Sequence, residues 1–528
     1  TSRFNLWRLV SCFVRRQQAA VGPADRINVM VIDGGREGAY NSRTGLRRCG
    51  LNDENGGTRA MKKLARKLIG DRRFYAMVLG IALPIMIQNG ITNFVSLLDN
   101  IMVGQMGTEC MSGVSIANQL LFVYQLSVFG ACSGAGIFTA QFSGSGNQTG
   151  VKHTFQLKLI VCTALAVITM VIFSLFSEPL IRLYLHDNGE GLDLERTLAY
   201  AQEYLFISMI WLIPNSIAQS YCSTLRETGK TVMPMIAGVA AVAVNAVFNY
   251  LLIFGKLGFP QLGVAGAAIA TTLSRFVELA ICMIWTHKNK EINPFAVGLY
   301  RHIRIPAELT RRVFIKGMPL LLNEFFWSMG MAVVTQCYSV RGLNAVAALN
   351  ICSVMSNVFN SVFMALGNSI SIIVGQKLGA GKVEQARDED TKLIFFSLVS
   401  SVAMGVLMAL IAPAFCDIYN VSEEVRALSI EVIRVAAICA PLHAFANACY
   451  FTLRSGGKTG ITFLFDSVYV WVINIPMAFL ISRLTSLPVA PMYLICQGVD
   501  ILKCIVGFVM VKRGYWIHNI IEHTETAG

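Results

Sequence analysis

Asp99 sits near the end of the run from Gly80 to Gly107, GIALPIMIQNGITNFVSLLDNIMVGQMG, with no Lys or Arg three or four positions away. Set among Phe94, Val95, Leu97, Leu98, Ile101 and Met102, an acid at the centre of a membrane helix costs about 2.5 to 3.5 kcal/mol on insertion scales. It must therefore face protein, water or a bound cation. At such a position a carboxylate can exchange a proton or hold a small cation; the alternative is a structural acid bonded to a neighbouring helix. Asn245 and Asn249, in VNAVFNYLLIF, are spaced i, i+4 and share one helix face. They can offer carbonyl oxygens to a cation or N–H groups to a carboxylate, and interhelical hydrogen bonding is an equally good account of them.

Other acids in apolar text divide by their local partners. Arg275 and Glu278, Glu431 and Arg434, and Asp500 and Lys503 are spaced i, i+3 and read as self-neutralising structural pairs. Glu324, in GMPLLLNEFFWSMG, and Asp466 have no such partner. Asp466 falls in the first turns of its span and reads as an interfacial acid.

The elements that must carry these residues are membrane helices. With 54% hydrophobic and 14% charged residues, the 528-residue chain does not have the composition of a water-soluble globule. Windows of about twenty apolar residues recur near 77–103, 113–141, 155–178, 198–222, 232–254, 262–286, 313–338, 345–374, 391–415, 427–452, 461–482 and 487–511. The alternating ten-residue strands of a closed barrel are absent, so helices must satisfy the backbone. The net charge of +13 is spread between the spans and forms no basic face with stacking aromatics, which excludes a nucleic-acid partner. Twenty-five Lys and Arg fall on the N-terminal arm from Met61, the even-numbered loops and the C-terminal tail, against Arg182, Arg196, Lys256, Arg341, Arg426 and Arg483 on the odd loops. That bias places both termini in the cytoplasm. The 14 cysteines stand mostly singly in apolar runs, without CxxC or a His companion, and read as small core hydrophobes with no metal site.

Residues 1–60 hold ten Arg and no Lys, mix Gly, Asp and Asn without periodicity, and contain no span or signal peptide. They are expected to be disordered or spurious upstream translation, with Met61 of MKKLARKLIG as the initiator. The acids Asp25, Asp33, Glu37, Asp53 and Glu54 argue against a transit peptide.

The remainder repeats. Pro84, Gly107 and Gln141 recur as Pro319, Gly342 and Gln376 at one offset of 235. Leu225-Arg226-Glu227-Thr228-Gly229-Lys230-Thr231 is echoed by Leu453-Arg454-Ser455-Gly456-Gly457-Lys458-Thr459, and GSGN at 144–147 by GAGK at 379–382. Six helices per half give both halves the same orientation, so the axis relating them runs along the membrane normal. The expected layout is an N-lobe at 61–286, a cytoplasmic linker at 287–312 and a C-lobe at 313–528. The expected fold is an all-α polytopic membrane protein of twelve transmembrane helices in two six-helix bundles.

From about Phe74 to Tyr515 the chain resembles the multidrug and toxic-compound extrusion (MATE) family, in its bacterial form. The likeness rests on Pro84 with Asp99-Asn100-Ile101-Met102-Val103-Gly104-Gln105-Met106-Gly107, on Gln141-Phe142-Ser143-Gly144-Ser145-Gly146-Asn147, on the paired LRxxGKT-like motifs, and on NYLLIFGKLGFPQLGVAGAAIATTLSR. The resemblance implies a monomeric multi-pass antiporter of the plasma membrane, without a cofactor, that expels cationic or amphipathic small molecules while H⁺ or Na⁺ enters. It implies that Asp99 takes the coupling ion, assisted by polar residues of helices 5 and 6 that Asn245 and Thr271 match. Asn249 stands where some members carry a second acid. Glu324 falls three residues earlier after the proline than the helix-7 acid of many members, still on the same helix face. His443 stands where some sodium-coupled relatives have a helix-10 acid, a departure that leans toward protons.

In such an antiporter Phe129, Phe326, Trp327 and Met331 are expected to help line an adaptable apolar cavity, with His443 nearby. Lipid-facing or core packing is the competing account of each. A lipid-linked oligosaccharide flippase of the same wider superfamily is the alternative function, and would carry a more cationic central cavity for a pyrophosphate head group. Membrane-enzyme signatures such as HExxH, GxSxG or a Walker loop are absent, and no enzyme activity is expected.

Overall fold

The computed structural model describes residues 68–185, 193–301, 303–419 and 421–521. The expectations about residues 1–60 and Met61 fall outside them. Among the described residues the chain forms twelve long helices and no strand: α1 (Arg72–Gly104), α2 (Thr108–Ser145), α3 (Gln148–Arg182), α4 (Leu194–Glu227), α5 (Val232–Phe254), α6 (Gly263–Lys288), α7 (Ala307–Ser339), α8 (Leu343–Gly379), α9 (Val383–Cys416), α10 (Glu423–Ser455), α11 (Thr459–Leu484) and α12 (Val489–Lys512). They answer the twelve apolar windows one for one. Several run well past them, because helix formation continues into polar flanks where apolar text stops. The 38 residues of α2 span about 57 Å, against about 30 Å of hydrocarbon.

The duplication is visible in local chemistry. Pro84 and Pro319 lie inside α1 and α7, Pro179 and Pro413 inside α3 and α9, and Pro214 and Pro441 inside α4 and α10. Each removes one backbone donor from its helix. Gly107 and Gly342 precede α2 and α8 at φ 124° and 99°, a region that only glycine enters cheaply. Side-chain caps start α3 (Asn147 Oδ1 accepting from Gly150 N, 2.8 Å) and α4 (Asp193 Oδ1 from Arg196 N, 3.1 Å).

Ten of the twelve helices are long and apolar enough to cross a membrane by composition alone. The other two, α4 and α10, are the enclosed members of their bundles: α4 packs on α2, α3 and α6, and α10 on α8, α9 and α12. Packed on three neighbours each, they bury Ser208, Asn215, Ser216 and Ser220, or Ser429, Thr452 and Arg454. The equivalent outer helices do the reverse. Val167, Ile168, Val171 and Leu175 on α3, and Val399, Val402, Val406 and Leu410 on α9, are exposed apolar stripes. Contiguous apolar faces of this kind are suited to lipid rather than water.

Two helices cross-brace the bundles. The first half of α1 (Phe74, Val78, Ile81, Ala82, Ile85) joins a core with α8, α10 and α11, while Leu309, Val313 and Leu320 of α7 join a core with α2–α4.

Candidate functional site

The second half of α1 presents Asp99 to α5. Asn249 Nδ2 donates to Asp99 Oδ1. With its amide turned so that the NH2 meets the carboxylate, Asn245 donates to Asp99 Oδ1 and Oδ2 at 3.0 and 3.1 Å, and its oxygen accepts from Thr271 Oγ1 at 3.2 Å. The i, i+4 spacing therefore does what a shared helix face allows. Asn245 and Asn249 are both buried, at 6% and 1% exposure, and Asp99 is half-buried. Asn249 Oδ1 is buried with no hydrogen-bond partner. A buried acceptor without a donor, beside a carboxylate, is an arrangement with room for a cation or a proton. Tyr204 and Arg275 complete the surroundings. The sequence did not single them out for this site: Tyr204 follows Gln202 and Glu203 where the apolar run of α4 begins, and Arg275 is accounted for locally by Glu278.

Arg275 does pair with Glu278 (Nη1 to Oε2, 2.9 Å). The other two expected pairs differ. Glu431 and Arg434 are both exposed on α10 and form no ion pair among the described residues. Lys503 reaches across to Asp466 Oδ1 at 2.6 Å instead of pairing with Asp500, and Asp466 Oδ2 accepts from Asn323 Nδ2 at 3.0 Å. Asp466 is thus a bonded acid within the C-lobe. Asp466, on α11, lies opposite Lys503 of α12, and a charge inside a bundle answers to the helix it faces. Asp500, released, faces His443 Nδ1 at 3.4 Å and accepts from Asn474 Nδ2 at 3.3 Å.

Glu324 does not join the Asp99 cluster. It lies on α7 in the C-lobe, with Tyr450, Arg454 and Asp466 as its electrostatic neighbours.

A cavity of about 230 Å³ lies between the bundles, lined from α2 (Gln125, Phe129, Ser133), α4 (Asn215, Gln219, Arg226), α6 (Arg275), α8 (Asn368, Ser371) and α10 (Arg454). Of the residues expected to line a cavity, Phe129 does. Phe326 turns to α11, where it meets Phe463 and Trp471, and its carbonyl accepts from Trp471 Nε1 at 2.9 Å. Trp327, Met331 and His443 are likewise absent from this lining. The cavity is of mixed character: Arg226, Arg275, Arg454 and Glu227 line it together with Val128, Phe129, Ile137 and Ile372. Composition hid this, because Arg226 and Arg454 belong to the repeated loop motif and count there as topology signals.

At the ends carrying the repeated motifs the bundles meet in a reciprocal contact. A Cβ on Gly144 would run into the Gln376 carbonyl, and one on Gly379 into the Gln141 carbonyl. Gln376 Nε2 donates to Glu227 O at 2.7 Å, and Gln141 Nε2 to Ser455 O at 3.1 Å. Gln141 Oε1 also accepts from Ile520 N at 2.9 Å, which seats the C-terminal segment across the joint. Nearby, in the loop before α5, Lys230 donates to Asn293 Oδ1 at 2.9 Å, and burial holds its ammonium below the usual lysine range.

Two braced bundles of six helices, a cavity between them lined by arginines and apolar side chains, and an acid among amides are the features of a membrane transporter. Comparison with known proteins agrees. The MatE family model matches residues 84–251 and 319–480, one stretch in each half, and the chain belongs to that family. The probable multidrug resistance protein NorM of Thermotoga maritima is 27% identical over 407 residues, 76% of this chain and 84% of that one. Its counterpart in Bacillus licheniformis is 26% identical over 414 residues, covering 77% and 88%. Among solved structures, a mutant of the Vibrio cholerae MATE transporter VcmN superposes with a TM-score of 0.76 at 15% identity, covering 84% of this chain and 99% of that one, a likeness of fold.

Proposed function

We propose that the protein is a multidrug efflux antiporter of the plasma membrane that exports amphipathic small molecules in exchange for an inward-moving H⁺ or Na⁺ taken up at Asp99. The observation that carries the reading is the buried, partnerless Asn249 Oδ1 beside a carboxylate already holding two amide donors. Asn245 and Thr271 orient that carboxylate. With the Lys- and Arg-rich ends in the cytoplasm, the Gln141–Gln376 joint closes the cytoplasmic side. Ion and substrate need only favour opposite conformations for exchange to follow. Loading Asp99 cancels its charge, loosens its hold on α5 and shifts the balance between them. Glu324 and His443 belong to a separate C-lobe network and support the brace between α7, α10 and α12.

The test is the purified protein in liposomes, with ethidium movement followed under an imposed pH gradient and then under a sodium gradient. Movement under one gradient, lost in Asp99→Asn, assigns the ion and its site. Movement that survives Asp99→Asn unchanged removes Asp99 from the coupling role. The flippase alternative is favoured by one observation, the arginines of the cavity.

A further inference from the structure

Arg226 and Arg454 are counterparts in the two halves, each the second residue of the repeated Leu-Arg motif, and both line the cavity between the bundles. Arg454 is 7% exposed, yet its Nε and Nη1 are buried with no hydrogen-bond partner. Its guanidinium lies over the rings of Phe451 (5.3 Å) and Phe129 (5.9 Å), one from each bundle. With aromatic rings against its faces, its N–H edges are left for hydrogen bonding. Arg226 Nε and Arg275 Nε are likewise buried and unpartnered.

The nearby carboxylates are largely committed elsewhere. Glu227 is held by Lys158 and by Ser223 Oγ at 2.6 Å. Glu278 is held by Arg275. Glu324 lies on the Arg454 side and makes no ion pair with it. Arg226 makes no ion pair among the described residues, the one acid lining the same cavity, Glu227, being held by Lys158, and Arg454 has donors unmade. Burying guanidinium N–H groups without acceptors is strongly disfavoured, and a planar fork of such donors matches the paired oxygens of a carboxylate or phosphate.

We propose that the cavity binds the acidic group of its substrate, a carboxylate or phosphate on an amphipathic molecule, through Arg226 and Arg454. The substrate class is then anionic rather than the cationic one that the family likeness suggested. This rests on the transport reading for its purpose but not for its chemistry. The apolar part of such a molecule has Phe129, Val128 and Ile372 to lie against, and Gln219, Asn215 and Asn368 supply neutral hydrogen-bonding groups. A soluble organic acid and a lipid phosphate share the recognised chemistry.

Binding is measured by fluorescence titration of the full-length protein in detergent with dansylamino-undecanoic acid, its uncharged amide and ethidium. The acid is expected to bind at least about tenfold tighter than its amide, to be displaced by inorganic pyrophosphate, and to lose about tenfold or more in Arg226→Gln and in Arg454→Gln, with partial recovery in Arg454→Lys. Equal affinity for acid and amide in the wild-type protein overturns the proposal whether or not the variants fold. So does unchanged binding in variants that elute as a single species. In liposomes, directional uptake of the soluble acid, or flipping of NBD-labelled polyprenyl phosphate read by dithionite quenching, identifies which source the site serves. Ethidium moving while neither acid does overturns the anionic class and leaves efflux standing. Binding of the acid with no probe transported leaves the site standing and removes the transport reading.

Discussion

Lys158, on α3, is fully buried, and its ammonium makes three contacts: Glu227 Oε2, Ser223 Oγ at 3.1 Å and Thr224 Oγ1 at 3.3 Å. Glu227 is 13% exposed, so the pair is screened little by solvent. Lys158→Met keeps much of the side-chain volume but leaves the Glu227 carboxylate with Ser223 as its remaining donor. Removing one partner of a buried pair costs about 3–5 kcal/mol, because the other charge stays behind uncompensated. Glu227→Gln in the Lys158→Met background removes that charge, so the double variant is expected to recover at least about 2 kcal/mol of the loss. The assay is reversible unfolding in mixed micelles with rising SDS, run on wild type, both single variants and the double. A Lys158→Met cost below about 1 kcal/mol, or a double variant that simply sums the singles, would show that the pair behaves as a surface pair and refute the reasoning. The same substitution has a functional consequence. Freed from Lys158, Glu227 becomes a counter-ion for the adjacent Arg226, so Lys158→Met is expected to weaken binding of the dansyl acid although Lys158 itself does not line the cavity.

Three further outcomes are expected. Asn249→Asp sets a second carboxylate beside Asp99, and sodium chloride should then protect the variant from heating more than potassium chloride does, a preference weaker in the wild type; equal protection by both salts would contradict it. Gly379→Val places a branched side chain against the Gln141 backbone, so spin labels at Gln148 and Glu384 should move apart by pulsed EPR, while Gly460→Ala, with nothing near its Cβ, should leave them in place. Asn323→Leu strips Ser467 N and Asp466 Oδ2 of their partner on α7, while Ser467 Oγ keeps the Asn323 carbonyl, and should destabilise by about 1–3 kcal/mol per orphaned group, read by the same SDS titration.

The sequence was legible where one-dimensional rules govern. Apolar windows locate helices because an unpaired backbone is too costly in lipid, and the offset of 235 between Pro84 and Pro319, Gly107 and Gly342, and Gln141 and Gln376 exposes the duplication because equal halves need equal kinks, caps and joints. Asp99 and the Asn245–Asn249 face were readable too, since a carboxylate in apolar text demands a partner and i, i+4 puts two amides side by side. What failed was pairing at a distance. Asp500 and Lys503 are matched in spacing on a regular helix, yet Lys503 belongs to Asp466 because a charge inside a bundle answers to whichever helix lies opposite. Phe326, Trp327 and Met331 read as cavity residues by type, but the direction of an aromatic ring is set by neighbouring helices rather than by its own. The arginines mark the deepest limit. In the chain Arg226 and Arg454 are two basic residues among many at helix ends, and only the meeting of α2, α4, α8 and α10 decides that they face one enclosed space with their donors unspent. Helix and repeat are properties of a segment, whereas the charge of a cavity belongs to several segments at once and exists only after they pack.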